Sequence, residues 1–222
     1  MNIGMKNIIF TINKSEYIHI AVSKPLKQLF RYDKVIITYN DIQGKMYTLF
    51  EDDFIIVALD ILRSRLQESF SGKLKLHKSI TKDIGYLWNK DIGRMNNEYI
   101  QNEKIRFTYI TSPEGTKYWV GEKYCVWSSQ NASFWIYEKE ENIYLEITPH
   151  YPWDSIPIKE AKKDPLYISF QAFMKTYNPL VVTIIDRKML IEWQEKLETI
   201  IPLIEANDSK YFCNTSCSHE SS

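Results

Sequence analysis

Residues 133–153, SFWIYEKEENIYLEITPHYPW, predict two antiparallel strands, a short acidic turn and a following aromatic loop. Side chains alternate between the two faces along a strand, so residue spacing shows which of them share a face. One face takes the aliphatic residues Ile143, Leu145 and Ile147. The opposite face takes the aromatic residues Trp135, Tyr137 and Tyr144. A hairpin that is apolar on both sides needs a cover on each face, either another part of the chain or a partner.

Further strands are predicted on both sides of this hairpin. β-rich runs between turn residues predict N-terminal hairpins; their strands cover residues 6–12, 17–22, 35–39 and 46–50. The central meander adds strands over residues 105–110 and 117–127, and residues 180–185 predict a buried strand. Apolar residues at helical spacing predict one helix that ends at Phe70, and Asp186 is expected to cap a last helix.

The order of these elements predicts an α+β fold, because strand runs and helices do not alternate strictly. We expect a mostly antiparallel sheet, formed by the N-terminal hairpins and the central meander, with two or three helices packed on one face. Residues 1–206 are predicted to form a single domain and residues 207–222 a disordered tail. Residues 73–103 show no clear period and are interpreted as a looped or loosely helical connection.

Charge and hydropathy exclude two classes of function. Basic and acidic residues balance at 28 each, whereas nucleic-acid binding usually needs a positive footprint. The longest apolar run, residues 54–59, is far shorter than a membrane span, and the N terminus lacks the apolar stretch of a signal peptide. We therefore predict a cytoplasmic protein that binds neither nucleic acid nor membrane.

The common catalytic and cofactor motifs are absent from the sequence, which predicts no cofactor and favours a non-catalytic role. Cys213, Cys217 and His219 supply three soft ligands, but a closed zinc site requires four on ordered structure, so no metal is predicted. His150, with Asp154 four residues on, is the histidine in the most suggestive setting, although a structural imidazole would explain it too.

Three segments resemble bacterial immunity proteins of contact-dependent growth inhibition and related polymorphic-toxin systems. They are FWIYEKEENIYLEITPHYPW, YISFQAFMKTYNPLVVTI and MLIEWQEKLETI, all within residues 134–200. The resemblance implies a cytosolic, non-catalytic protein that binds and neutralises one cognate toxin domain. It assigns no binding residue. The balanced charge departs from nuclease inhibitors of this kind, which are often acidic.

Three hypotheses follow from these observations. The first is an immunity-type inhibitor whose aromatic hairpin face, with its acidic rim and the adjoining loop, contacts a toxin domain. Its predicted contact residues are Trp135, Tyr137, Glu138, Glu140, Glu141, Tyr144, Glu146, His150, Tyr151 and Trp153. The second is an enzyme or small-ligand-binding protein with a pocket near His150, Trp153 and Asp154. The third is a homo-oligomeric structural subunit. If instead the chain covers this face itself, the N-terminal hairpins or residues 73–103 are the expected cover.

Overall fold

The computed structural model describes residues 6–96, 109–111, 117–154 and 156–216. Two antiparallel four-stranded sheets and their helices give an α+β fold, which confirms the predicted class. The strands form two four-stranded sheets and one two-stranded ribbon, however, rather than the one sheet expected. Contacts within the chain define two compact units: residues 1–70 with 185–222, and residues 71–184. Whether residues 1–206 form a single domain stays a prediction.

The first unit contains the two predicted N-terminal hairpins as one meander. Its strands are β1 (Lys6–Thr11), β2 (Tyr17–Val22), β3 (Val35–Asn40) and β4 (Met46–Asp52), paired in that order. A short 3-10 turn lies at Leu26–Gln28. Helix α1 (Ile55–Phe70) follows, and Gly72, at φ +68°, terminates it in the left-handed conformation that glycine adopts readily.

Helix α6 (Arg187–Ser216) packs against α1 and the 3-10 turn, and it also contacts β1. The predicted cap is present, since Asp186 Oδ1 accepts a hydrogen bond from the Lys188 amide at 2.8 Å. Trp193 packs edge-on against Phe10, with ring centroids 5.3 Å apart. Residues 207–216, predicted to be a disordered tail, are helical. Asp208 explains part of this extension, because it accepts a hydrogen bond from Arg31 Nε at 2.7 Å within the same unit.

The second unit is built on the central meander. Its sheet has the order β10 (Val181–Ile184), β9 (Asn142–Pro149), β8 (Ala132–Lys139) and β7 (Cys125–Ser128). Strand β10 was predicted to be buried but lies at the edge of this sheet, where Ile184 is 54% exposed. Helices α4 (Ile158–Ala161) and α5 (Phe170–Lys175) precede it, and Ser169 caps α5 through a bond from the Ala172 amide.

Two regions of the second unit differ from the sequence prediction. Residues 84–96, interpreted as part of a looped or loosely helical connection, form the regular helix α2 (Ile84–Asn96). The strand predicted over residues 117–127 is interrupted by helix α3 (Val120–Tyr124), and β6 (Lys117–Trp119) pairs with β5 (Tyr109–Thr111) as a separate ribbon. Helix α2 lies against β8 and β9. The chain itself therefore covers the aromatic face of the hairpin, and the cover comes from residues 73–103.

Candidate functional site

A cavity of about 480 Å³ opens at one end of the second sheet. Three segments line it: helix α2, the turn Ser128–Asn131 between β7 and β8, and the loop that follows β9. The residues that α2 contributes are Trp88, Asn89 and Ile92. The loop contributes His150, Tyr151, Pro152, Asp154 and Ile156. The cavity therefore brings the PHYPWD loop together with a helix whose bounds the sequence did not predict.

His150 is held as a neutral imidazole on the cavity wall. Its Nε2 accepts a hydrogen bond from Trp88 Nε1 at 3.1 Å and lies 2.6 Å from Ser133 Oγ. Burial lowers the pKa of His150 to about 4, although a hydrogen bond with the Ser129 backbone opposes this shift. His150 and Ser133 have the spacing of a base and a nucleophile, but Ser133 is fully buried and cannot reach a substrate. The pair therefore orders the wall of the cavity.

Asn89 joins helix α2 to the loop. Its Nδ2 donates to the carbonyls of Gly85 and Pro149, at 2.9 and 3.0 Å. Its Oδ1 accepts a hydrogen bond from the Tyr151 amide at 3.2 Å. The Tyr151 hydroxyl in turn donates to the Ile168 carbonyl at 2.9 Å. These bonds fix the loop against the helix, so the cavity has a preformed shape.

The indole of Trp88 forms an aromatic wall that is locked in place. It stacks on Trp119 with ring centroids 4.6 Å apart, and it meets Trp135 edge-on at 5.3 Å. Gly121 leaves room for this ring, because a Cβ added at Gly121 would lie 2.4 Å from Trp88 Cζ3. A rigid aromatic surface of this kind can contact a ligand with little loss of side-chain entropy.

The predicted contact face itself is buried, and its placement as a surface was wrong. Trp135 and Glu146 are fully buried, and Tyr137 is 5% exposed. The prediction that these residues lie on one face of the hairpin is nevertheless correct, since Trp135 pairs with Glu146 and Tyr137 pairs with Tyr144. Tyr144 is half-buried and stacks on Tyr137 with centroids 5.5 Å apart. Helix α2 occupies the surface that a partner was expected to cover.

The other predicted site residues divide between the two ends of β8. Glu140 and Glu141 are exposed at the β8–β9 turn, whereas the side chain of Glu138 is 14% exposed and lies 3.9 Å from Lys75 Nζ. At the cavity end, Trp153 is half-buried and donates through Nε1 to Asp164 at 3.2 Å. The structure therefore brings His150 and Tyr151 into one site and leaves the acidic turn outside it.

The cysteine-rich tail lies largely outside the described residues. Cys213 falls within α6, its side chain is not among those described, and Cys217 and His219 lie beyond them. Within the described parts of the chain, no group of three histidine, cysteine or acidic side chains could hold a metal ion. Cys125 is half-buried at the start of β7, and its Sγ lies 3.5 Å from the Trp127 carbonyl.

Comparisons with known proteins do not assign this chain to a family. No family model matches the chain, and no curated sequence matches it significantly. Of the helices in the described residues, none combines the length and the apolar character that a membrane crossing requires.

Proposed function

We propose that this chain is a non-catalytic, cytoplasmic immunity-type protein that binds and neutralises a cognate toxin domain. The observation that carries the proposal is the preformed cavity between α2, the turn Ser128–Asn131 and the loop after β9. Interfaces place their strongest contacts where one partner's side chain fills a well-packed pocket on the other. The sequence resemblance supports the same class of function.

The chemistry of the cavity supports a protein side chain as its occupant. The rim residues Gln130 and Asn131 are exposed and offer amide groups, which adapt to different hydrogen-bonding partners. His150 is neutral, so Asp154 supplies the charge among the lining residues. We therefore expect a basic side chain of the toxin domain to enter the cavity, with its aliphatic part against Trp88 and its charge near Asp154.

Neutralisation can be tested by co-expressing the chain with a candidate toxin domain taken from a neighbouring gene. Cells that express this domain should survive only when the chain is co-expressed. A double variant at the cavity rim, Gln130→Arg with Asn131→Arg, should repel a basic side chain and reduce affinity by about 30-fold or more. Affinity is measured by titration calorimetry with a toxin domain inactivated by mutation.

The matched control is a double charge change at the other end of β8, which spans about 25 Å. Glu140→Lys with Glu141→Lys should leave affinity nearly unchanged, or slow association a few-fold if these carboxylates steer the partner. Normal binding by the Gln130→Arg/Asn131→Arg protein, combined with loss of binding by the turn variant, would move the interface to the acidic turn. Failure of the wild-type chain to protect the cells would refute the immunity function with this toxin.

A small-ligand-binding protein is the second candidate. It is favoured by the cavity volume of about 480 Å³, because small-molecule sites occupy roughly 300–1,000 Å³. Ligand-observed NMR with a set of amines and aromatic cations tests it directly. Asp154→Asn should weaken any cationic ligand without unfolding the chain. His150→Ala does not serve this purpose, since it would remove the partner of Trp88 and Ser133 from the wall.

A further inference from the structure

Glu146 is a buried carboxylate at the N terminus of helix α2. It lies on β9, is fully buried, and accepts hydrogen bonds from two backbone amides of the first helical turn. The distances are 2.7 Å from the Gly85 amide to Oε1 and 3.2 Å from the Ile84 amide to Oε2. The hydroxyls of Tyr137 and Thr148 donate to the same carboxylate, at 3.2 and 3.0 Å. Strand β9 is thus joined to the start of α2 through one side chain.

The first turn of α2 leads directly to the cavity. Gly85 donates its amide to Glu146 and accepts, through its carbonyl, a hydrogen bond from Asn89 Nδ2. Asn89 Oδ1 then accepts a hydrogen bond from the Tyr151 amide, and Trp88 Nε1 donates one to His150 Nε2. Gly85 also allows the helix to approach the strand, because a Cβ there would lie 1.7 Å from Thr148 Oγ1. A shift of this turn would move both Trp88 and Asn89.

We infer that Glu146 is a positioning residue: by anchoring the first turn of α2, it sets the arrangement of Trp88 and Asn89 that forms the cavity. Replacement by alanine leaves two buried amides without their acceptor, so the helix should dock less firmly. Replacement by glutamine removes the charge and keeps one acceptor oxygen, but its Nε2 faces one of the two backbone amides, so the anchor is weakened equally at every pH.

The titratable groups around Glu146 determine how this anchor responds to pH. Asp83 lies ahead of α2, Tyr137 on β8 and Tyr177 after α5. The pKa of Glu146 is raised from its ordinary 4.5 to about 7. Burial is the main cause of the rise and the charge of Asp83 adds to it, while the hydrogen bonds from Gly85, Thr148 and Ile84 oppose it. Because the pKa is raised in the docked arrangement, ionisation disfavours docking. Docking is therefore fully favoured below pH 4.5 and weakens as pH rises through 7.

Hydrogen exchange measured by NMR tests this inference without any ligand. The reporters are the indole Nε1–H of Trp88, which is bonded to His150, and the backbone amides of α2. The measured quantity is the opening constant of the wild type divided by that of Glu146→Gln, corrected for the intrinsic exchange rate. His150 also titrates, and taking the ratio cancels its contribution because both proteins contain it. From the two pKa values, the ratio should rise about 30-fold between about pH 5.5 and pH 8.5.

Asp83→Asn gives an independent variant that does not depend on substituting a buried residue. Asp83 is exposed, and asparagine can replace aspartate as a helix cap. Removing its charge should lower the midpoint of the Glu146 titration, which can be followed through the side-chain carboxyl carbon. Exchange of the Trp88 Nε1–H and of the α2 amides that is no faster in Glu146→Ala than in the wild type would overturn the inference.

The consequence for binding rests on the proposed function: affinity for the toxin domain at the cavity should fall as pH rises through 7. If the exchange ratio rises but the affinity of the inactivated toxin domain does not change with pH, the positioning role stands and the placement of the partner in the cavity fails. If Glu146→Ala exchanges no faster than the wild type while the Gln130→Arg/Asn131→Arg variant loses binding, the positioning role fails and the placement of the partner in the cavity stands.

Discussion

Trp135→Ala distinguishes a core residue from a contact residue at the centre of the aromatic hairpin. Trp135 is fully buried, meets Trp88 edge-on, and donates through Nε1 to Thr148 Oγ1 at 3.2 Å. Truncation of a buried tryptophan to alanine costs about 3–5 kcal/mol, which combines the lost transfer free energy with the cavity left behind. Trp135→Phe retains most of the packing and loses the hydrogen bond, so it should cost about 1–2 kcal/mol.

Urea unfolding followed by far-UV circular dichroism measures both variants, since this signal does not depend on the tryptophan that is removed. The slope of the free energy with urea should stay constant, and the midpoint should fall in the order wild type, Trp135→Phe, Trp135→Ala. The matched control is Leu166→Ala in the same unit. Leu166 is 77% exposed, so its truncation should change stability by less than about 0.5 kcal/mol. If Trp135→Ala were as stable as Leu166→Ala, Trp135 would be exposed and α2 would not cover it.

Two further predictions concern backbone positions. Gly85→Ala should cost more than about 2 kcal/mol in the same urea assay, because its Cβ would clash with Thr148. The control is Gly44→Ala, at φ +78° in open space, which should cost about 1 kcal/mol from backbone strain alone. Equal effects would contradict the close approach of α2 to β9. Glu140→Asn with Glu141→Gly should stabilise the protein by about 1 kcal/mol, because both glutamates have positive φ, +50° and +65°, in a two-residue turn that suits Asn-Gly. No gain in urea midpoint from that pair would argue against the turn conformation.

The alternation of residue types along the hairpin predicted its strands and their two faces. It could not identify the segment that covers the aromatic face, which is helix α2. Strand alternation depends on local geometry, so the pairing of Trp135 with Glu146 follows from the sequence. The sequence did not define helix α2 within its looped or loosely helical connection, because the first turns of this helix contain Gly85 and Asn89, which have low helix propensity. Both residues are explained by tertiary contacts: Gly85 permits close approach to Thr148, and Asn89 bonds the loop.

Long-range contacts also explain the other two differences. Residues 117–127 were predicted to be one strand, but Gly121 lies in helix α3, where Trp88 occupies the space that a side chain would fill. Residues 207–222 were predicted to be a disordered tail, yet helix α6 continues to Ser216. Asn207 Nδ2 donates to the Leu29 carbonyl and Asp208 binds Arg31, partners more than 170 positions away in the sequence. Contacts at such separations leave no local pattern.

Two buried titratable groups near the cavity, His150 and Glu146, change the stability of the protein in opposite directions as pH rises. A measurement of whole-protein stability against pH would therefore hide the contribution of Glu146. The lowered pKa of His150 means that the neutral form is favoured in the fold, so its contribution to stability is present above pH 6.5 and is lost as pH falls toward 4. The raised pKa of Glu146 means that its contribution is present below pH 4.5 and is lost as pH rises through 7. Over the interval that they share, one loss offsets the other, and the sum changes little with pH. A comparison of the wild type with Glu146→Gln removes the effect of His150, because both proteins contain this histidine. It therefore isolates the pH dependence that Glu146 causes at the start of α2.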